Sequence, residues 1–345
     1  MKVLVLGGTS FIGRRIVECL NARGDEVAVF HRGLTEPEGL VPVRHIHADR
    51  KEMSGKAAEV RDFGPDAVLD SNALTGADVD AVTSILPDVP SVVLSSQDVY
   101  QAIAALRGGT CDAAVPLDEQ AELRRERYPY AGRGHAGVPD DYDKLDVEER
   151  WLPRGAVVLR LPMVYGPHDD QQREAPILRR VLHGGREIPT GGGTLLWTRA
   201  HVDDVASAAL AALDNRAADG LAVNIGEERT FPIGTWFRQI AAAAGEDVSF
   251  VTVPDAQVPA DLSISRTHSQ HLLASVARAR ELLNWSASEA NARVRQSVAW
   301  HLQNSRFDPW TDAEQARDVA ALREQDDEPT GSRATAPPQR DGTTA

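Results

Sequence analysis

The residues best suited to chemistry stand at the start of the chain. Gly7-Gly8-Thr9-Ser10-Phe11-Ile12-Gly13 follows a short apolar run, Lys2–Leu6. It precedes a stretch in which Ile12, Ile16, Val17 and Leu20 fall on one helical face, with Arg23-Gly24 as a stop. Small residues let the backbone turn sharply and come close to a ligand. The helix start that follows offers amides without intrahelical partners and the positive end of a dipole. Strand, glycine turn and helix in that order predict a diphosphate-binding turn of the dinucleotide type, with Gly13 letting helix and strand approach. The end of the second strand then bears on which dinucleotide. A carboxylate there accepts bonds from the ribose hydroxyls of NAD(H). This chain reads Phe30-His31-Arg32-Gly33, with no acid until Glu36. Arg32 can pair with a 2′-phosphate, so NADP(H) is the favoured cofactor and NAD(H) the alternative; a solvated surface arginine is the plainer reading. Asp49, just after the third strand, is placed for the adenine amino group or for capping a helix.

Other clusters point to structure. His201, Asp203 and Asp204 have the composition of metal ligands, but at a helix start they are expected to cap it and join two lobes. His268 and His271 lack an evident third ligand. Cys19 and Cys111 are the two cysteines, which excludes a disulfide framework and makes a zinc site on Cys pairs unexpected. No metal is expected.

The elements that must position these groups show in the apolar pattern. Lys2–Leu6, Glu26–Phe30, Val43–His47, Asp66–Asp70, Ser91–Ser95 and Ala156–Leu161 are short, Val/Leu/Ile-rich and nearly continuous in apolarity, as strands buried on both faces are. They alternate with helical stretches, which predicts an α/β fold with a doubly wound parallel sheet of the Rossmann type. Residues 101–141 break the rhythm with a polar, charged and Tyr/Gly-rich stretch, an insertion or lid beside the site or else a mobile surface loop. From about residue 170 helices dominate, with short strands such as Leu221–Ile225 and Ser249–Val253, which suggests a smaller C-terminal α/β substrate lobe. The expected division is 1–167 for the nucleotide domain, 168–303 mainly for the lobe, and 304–345 for an extension whose residues 325–345 have almost no large apolar side chains and are expected to be disordered.

Several separated motifs now align. They are Gly7 to Gly13, Val92-Val93-Leu94-Ser95-Ser96-Gln97-Asp98-Val99-Tyr100 and Leu159-Arg160-Leu161-Pro162-Met163-Val164-Tyr165-Gly166-Pro167. His201-Val202-Asp203-Asp204-Val205-Ala206, Asn224-Ile225-Gly226 and Ala279-Arg280-Glu281-Leu282-Leu283-Asn284-Trp285 follow in order. Over roughly residues 1–303 the chain resembles the extended short-chain dehydrogenases/reductases, of the NAD-dependent epimerase/dehydratase kind. The resemblance implies a Rossmann domain, a smaller substrate lobe and, often, a nucleotide-sugar substrate. It places Ser96, four residues before Tyr100, as the hydroxyl that polarises a substrate carbonyl or hydroxyl, although a serine there can also merely cap the strand end. It places Pro162, Met163 and Val164 near the nicotinamide, with plain core packing as the alternative, and Arg199 as a substrate anchor. The candidate cofactor set is Gly7, Gly8, Thr9, Ser10, Phe11, Ile12, Gly13, Arg32, Asp49, Arg50, Asn72, Lys144, Pro162, Met163 and Val164. Arg160 is expected in an internal ion pair.

The family pair Tyr-x-x-x-Lys, acid/base and ribose holder, is displaced here. The chain reads Asp140-Asp141-Tyr142-Asp143-Lys144-Leu145-Asp146-Val147-Glu148. The register that keeps Lys144, Leu145 and Glu148 together puts Asp140 at the Tyr position. Tyr142 would then point about 200° around an ideal helix from Lys144. It reaches inward only if the helix starts after it, with Asp140 or Asp141 as a natural cap. Ser96, Tyr142 and Lys144 are the catalytic candidates; Asp140, Asp98 and Tyr100 are the alternative acid/bases, and Asp98 is also a substrate-binding candidate. Ser96-Gln97-Asp98 resembles the Thr-Asp-Glu triplet of sugar 4,6-dehydratases, but with one carboxylate, so dehydration is a minor option.

The expected function is an NAD(P)-dependent oxidoreductase or epimerase acting on a carbinol or ketone carbon. A cofactor-binding scaffold or sensor without redox turnover is the reading from another class. With 37 Lys+Arg against 51 Asp+Glu, the net charge is −14, which opposes nucleic-acid binding. No run of 18 apolar residues predicts a membrane span. The expected setting is cytoplasmic, and a homodimer is the expected assembly if there is one.

Overall fold

A computed structural model describes residues 1–37, 39–134, 137–304 and 307–326. In chain order the elements begin β1 (Lys2–Leu6), α1 (Phe11–Arg23), β2 (Glu26–His31), β3 (Arg44–His47), α2 (Ala57–Phe63), β4 (Ala67–Asp70), α3 (Gly76–Thr83), β5 (Ser91–Ser96) and α4 (Gln101–Gly108). Then come α5 (Lys144–Trp151), β6 (Val157–Leu161), β7 (Met163–Tyr165), α6 (Ala175–Leu182), β8 (Glu187–Thr190), β9 (Arg199–His201) and α7 (Val202–Asp214). The chain continues through β10 (Ala222–Asn224), α8 (Ile233–Ala243), β11 (Ser249–Thr252), α9 (Ala277–Leu283), α10 (Ala290–Asn304) and α11 (Asp312–Asp326).

Seven parallel strands form the main sheet in the order β10-β6-β5-β4-β1-β2-β3. Period-two alternation divides each strand between two cores. On β1, Val3 and Val5 face the layer of α1, α7 and α9, while Leu4 and Leu6 face Met53, Val60, Phe63, Val79, Val147 and Trp151. All six strands expected in the first 165 residues are present within a residue or two. The strand expected at Leu221–Ile225 is β10, and it lies at the edge of this sheet, paired with β6, rather than in the C-terminal lobe. A third core, built around Ile177, Ile188, Trp236, Phe237, Ile240 and Val298, holds α6, α8, α10 and the parallel pair β8–β11 together.

The stretch 101–141 is not one long loop. It opens with α4, and Arg124 from it is fully buried, its guanidinium on the Asp143 carboxylate at 2.5 Å. The expected disorder of 325–345 falls, beyond residue 326, outside the described residues. Among the described residues no helix is long and apolar enough to cross a membrane.

Candidate functional site

The glycine turn sits at the carboxyl edge of the sheet between β1 and α1. Gly7 has φ +78°, and a Cβ there would stand 2.8 Å from Asn72 Cβ. A Cβ on Gly13 would stand 2.9 Å from Ser71 Oγ and 3.0 Å from Gly8 Cα. Strand, turn and helix are therefore packed at a separation that only glycine allows. Ser10 occupies the N-cap of α1, yet its side chain does not cap the helix. The first-turn amides stay available to an anion. Above them lies a cavity of about 370 Å³, between Thr9, Ser10, Phe11 and Arg14 on one side and His168, Gln172 and Trp300 on the other. Phe11, His168 and Gln172 on this wall hold φ of +35°, +65° and +46°. Left-handed backbone at non-glycine residues is costly and gathers where a ligand is held. The turn fits a dinucleotide diphosphate.

The residues around the adenosine end divide into free and committed groups. Arg32 is exposed and has no hydrogen bond or ion pair among the described residues. Asp49 caps the short helical turn that follows it, accepting from Lys51 N at 3.0 Å. Arg50 grips both carboxylate oxygens of Asp70 and donates to Asp78 O at 2.7 Å, so its guanidinium is spent inside the protein. Asn72 lies against Gly7. Beyond the sheet, Val164 is buried in the core beneath α7, and Met163 packs against the third core. Pro162 is half-buried between β6 and β7.

Four of the chemical candidates and one unexpected residue converge beside β5. Ser96 ends that strand, and its Oγ accepts from Asp98 N at 3.1 Å, the strand-end capping geometry. Helix α5 starts after Tyr142, so the phenol is not forced around the helix. Its cap is Asp143, which accepts from Leu145 N at 2.8 Å. Asp140 instead is exposed and accepts from Gly132 N at 2.9 Å, and Asp141 is exposed as well, so neither caps the helix. Lys144 is buried, with Nζ donating to Ala73 O at 2.5 Å and Leu94 O at 3.1 Å, between the ends of β4 and β5. One of its three donors remains. Burial lowers its pKa, opposed by the charges of Asp70 and Asp98.

Asp98 is the centre of this group. It is buried. The phenols of Tyr142 and Tyr130 stand beside it, ring to edge with each other at 5.3 Å between centroids. Burial raises the Asp98 carboxyl, against the pull of Arg124 and Lys144. Burial, and then the Asp98 charge, raises the Tyr142 phenol well above its usual range. A phenol held protonated is a proton donor at neutral pH. Tyr130 is the residue that the sequence reading missed. It comes from the 101–141 stretch, where Tyr128-Pro-Tyr130 was the available signal.

Tyr100 belongs to a structural network. Its hydroxyl donates to Asn224 Oδ1 at 2.8 Å and accepts from Arg160 Nη1 at 3.1 Å. Arg160 forms the expected internal ion pair, with Glu148 at 2.7 Å. Arg199 is almost fully buried on β9, 2.9 Å from Glu227 and over the Trp236 ring, with Nε and Nη1 unpartnered among the described residues. Burial raises Glu227 to about 7, against the neighbouring guanidinium.

His201, Asp203 and Asp204 hold elements together. His201 caps α7 through Nδ1, which accepts Asp203 N–H at 3.2 Å. Asp203 joins Arg15 of α1 at 2.6 Å, and Arg293 of α10 joins Asp204 at 2.5 Å. Burial drives the His201 pKa down to about 4, against the Asp203 charge. The folded protein thus disfavours protonated His201, with an unfolded reference of 6.5. Its stabilisation is present above pH ~6.5 and is lost as pH falls toward ~4, by about 3 kcal/mol in all. Urea titrations across that range should show the decline. His201→Asn, which keeps a capping oxygen, should flatten it; an unchanged decline would refute the assignment.

The fold and this turn define a dinucleotide-binding protein of the Rossmann class. The chain belongs to the NAD dependent epimerase/dehydratase family, which it matches over residues 3–110 and 153–226, more than half its length. It is an NAD(P)-dependent enzyme of the extended short-chain dehydrogenase/reductase type. It is 25% identical over 310 residues, covering 82% of this chain and 74% of the relative, to the chloroplast stem-loop binding protein of 41 kDa b of Arabidopsis thaliana. It is 28% identical over 268 residues, 74% of this chain and 70% of the relative, to the 2'-dehydrokanamycin reductase of Streptomyces kanamyceticus. Among solved structures, the dTDP-glucose 4,6-dehydratase of Bacillus anthracis in complex with NAD superposes with a TM-score of 0.67 at 16% identity, covering 88% of this chain and 97% of that one. The UDP-glucose 4-epimerase of Thermotoga maritima with UDP-glucose gives 0.65 at 17%, covering 88% and 99%.

Proposed function

We propose that the protein is an NADP(H)-dependent oxidoreductase or epimerase that acts on a carbinol or ketone carbon of a nucleotide sugar or a related metabolite. The observation that carries this reading is the juxtaposition of a glycine-tight anion cradle with the Asp98–Tyr142–Lys144 group at the same sheet edge. Gly7 to Gly13 would hold the diphosphate, Arg32 the 2′-phosphate, and Lys144 the nicotinamide ribose through its remaining donor. The cofactor, when bound, supplies or accepts a hydride. Tyr142 offers its proton to the substrate oxygen, and Asp98, a carboxyl whose proton affinity is raised, stands beside the phenol to restore it. Ser96 would polarise the same oxygen. Arg199, buried with two unused donors, suits an anionic substrate group such as a phosphate. The relatives' names support reductase and nucleotide-sugar chemistry.

The test is direct. NADPH and NADH are titrated against the protein while its Tm and tryptophan emission are followed, and a panel of ketones and nucleotide sugars is then screened at 340 nm. Arg32→Ala should weaken NADPH about 10–100-fold, the worth of a charge-assisted bond, and leave NADH unchanged. Equal affinities for both cofactors in the unaltered protein would refute the NADP(H) preference. Binding without turnover on the whole panel would favour a scaffold or sensor. The likeness to a stem-loop binding protein raises RNA as a ligand, but the net charge of −14 opposes it.

A further inference from the structure

At the end of β2, three histidines and a glutamate meet. His31 ends β2, and its register partner on β3 is His47. His45 and His47 are two apart on one strand, so their side chains leave the same face. Glu36 reaches back from the segment that joins the two strands. The ligand-type atoms of His31, Glu36, His45 and His47 all lie within 4.8 Å of one another. His31 Nε2 is 2.7 Å from His45 Nδ1 and 3.7 Å from Glu36 Oε1, and His47 Nε2 is 2.6 Å from the same oxygen. Four ligands at ~2.0–2.1 Å from a tetrahedral ion are about 3.3 Å apart, a spacing that these separations straddle.

We infer that His31, Glu36, His45 and His47 form a four-ligand site for a borderline divalent metal of the zinc class. Three imidazoles and one carboxylate suit zinc and its first-row neighbours, whereas magnesium and calcium take oxygen sets. His31 is buried while Glu36 and His47 are exposed, so the site has both a fixed floor and an open route for the ion. Without metal, Gly33 N–H donates to His31 Nδ1 at 3.2 Å, leaving the ring proton on Nε2 toward His45. Loading shifts that proton to Nδ1, and the exposed Gly33 amide turns to water. The ion would tie the β2–β3 connection to both strands, whether or not a dinucleotide binds nearby.

The experiment uses the full chain, purified without a polyhistidine tag and stripped with a chelator. Zinc is titrated against a chromophoric competitor, and cobalt(II) is titrated while its visible ligand-field bands are recorded. The expected result is saturation at one ion per chain, tetrahedral cobalt bands, and a rise in Tm. His47→Ala and Glu36→Gln should each weaken zinc about 10–100-fold, and His45→Ala with His47→Ala should remove it. Glu36→Gln alters an exposed side chain and keeps the test alive if a histidine variant fails to fold. Absence of one-to-one saturation, or unchanged affinity in Glu36→Gln and the double variant, overturns the site. NADPH titration of the same samples separates this outcome from failure of the cofactor reading.

Discussion

Tyr142→Phe should lower turnover about 10²–10⁴-fold and leave cofactor affinity unchanged, the cost of removing a positioned proton donor. The phenol stands beside the buried Asp98 carboxyl, and both groups are raised toward their protonated forms. A donor in that state needs no partner to deprotonate it before the reaction. Phe keeps the ring against Tyr130 and so preserves packing. The measurement is kcat at 340 nm with whichever substrate of the panel turns over, beside Tyr130→Phe as a comparison. Full activity in Tyr142→Phe removes that phenol from the mechanism; a loss confined to Tyr130→Phe would transfer the role to Tyr130.

Glu148→Ala should cost about 3–5 kcal/mol of stability, because it leaves the Arg160 cation buried without its partner. The carboxylate receives Arg160 Nη2 at 2.7 Å and Ser95 Oγ at 2.6 Å, so two buried polar side chains depend on it. The folded-to-unfolded ratio would fall by about 10²–10⁴. Guanidinium denaturation should show a lower midpoint at an unchanged slope. A loss below ~1 kcal/mol would mean that water reaches Arg160. Replacing both partners by Met should be far milder than either single change, since no lone charge is then left inside.

The parallel sheet was legible because its strands are apolar on both faces and the helices between them are amphipathic. β10 was read as a strand, yet its place was not legible. It has three residues and returns to β6 after an excursion through β7, α6, β8, β9 and α7, and only register with Val158 to Arg160 decides its neighbour. The cap of α5 was misread for a related reason. Asp140, Asp141 and Asp143 have the same capping chemistry, and the choice fell to Asp143 because Arg124 from a distant segment binds it. The glycine turn needed no tertiary partner to be read. The histidine cluster did, because His31 and His47 become neighbours only through strand register.

The return of β10 has a consequence for how this molecule can be divided. A fragment ending at residue 167 would lose Asn224, which accepts the Tyr100 hydroxyl at 2.8 Å, and would leave β6 as a naked hydrogen-bonding rim open to self-association. Recombination that exchanges the elements of the third core between homologues must therefore place junctions on both sides of the segment around 199–225 and spare it, since that segment carries a strand of the main sheet itself.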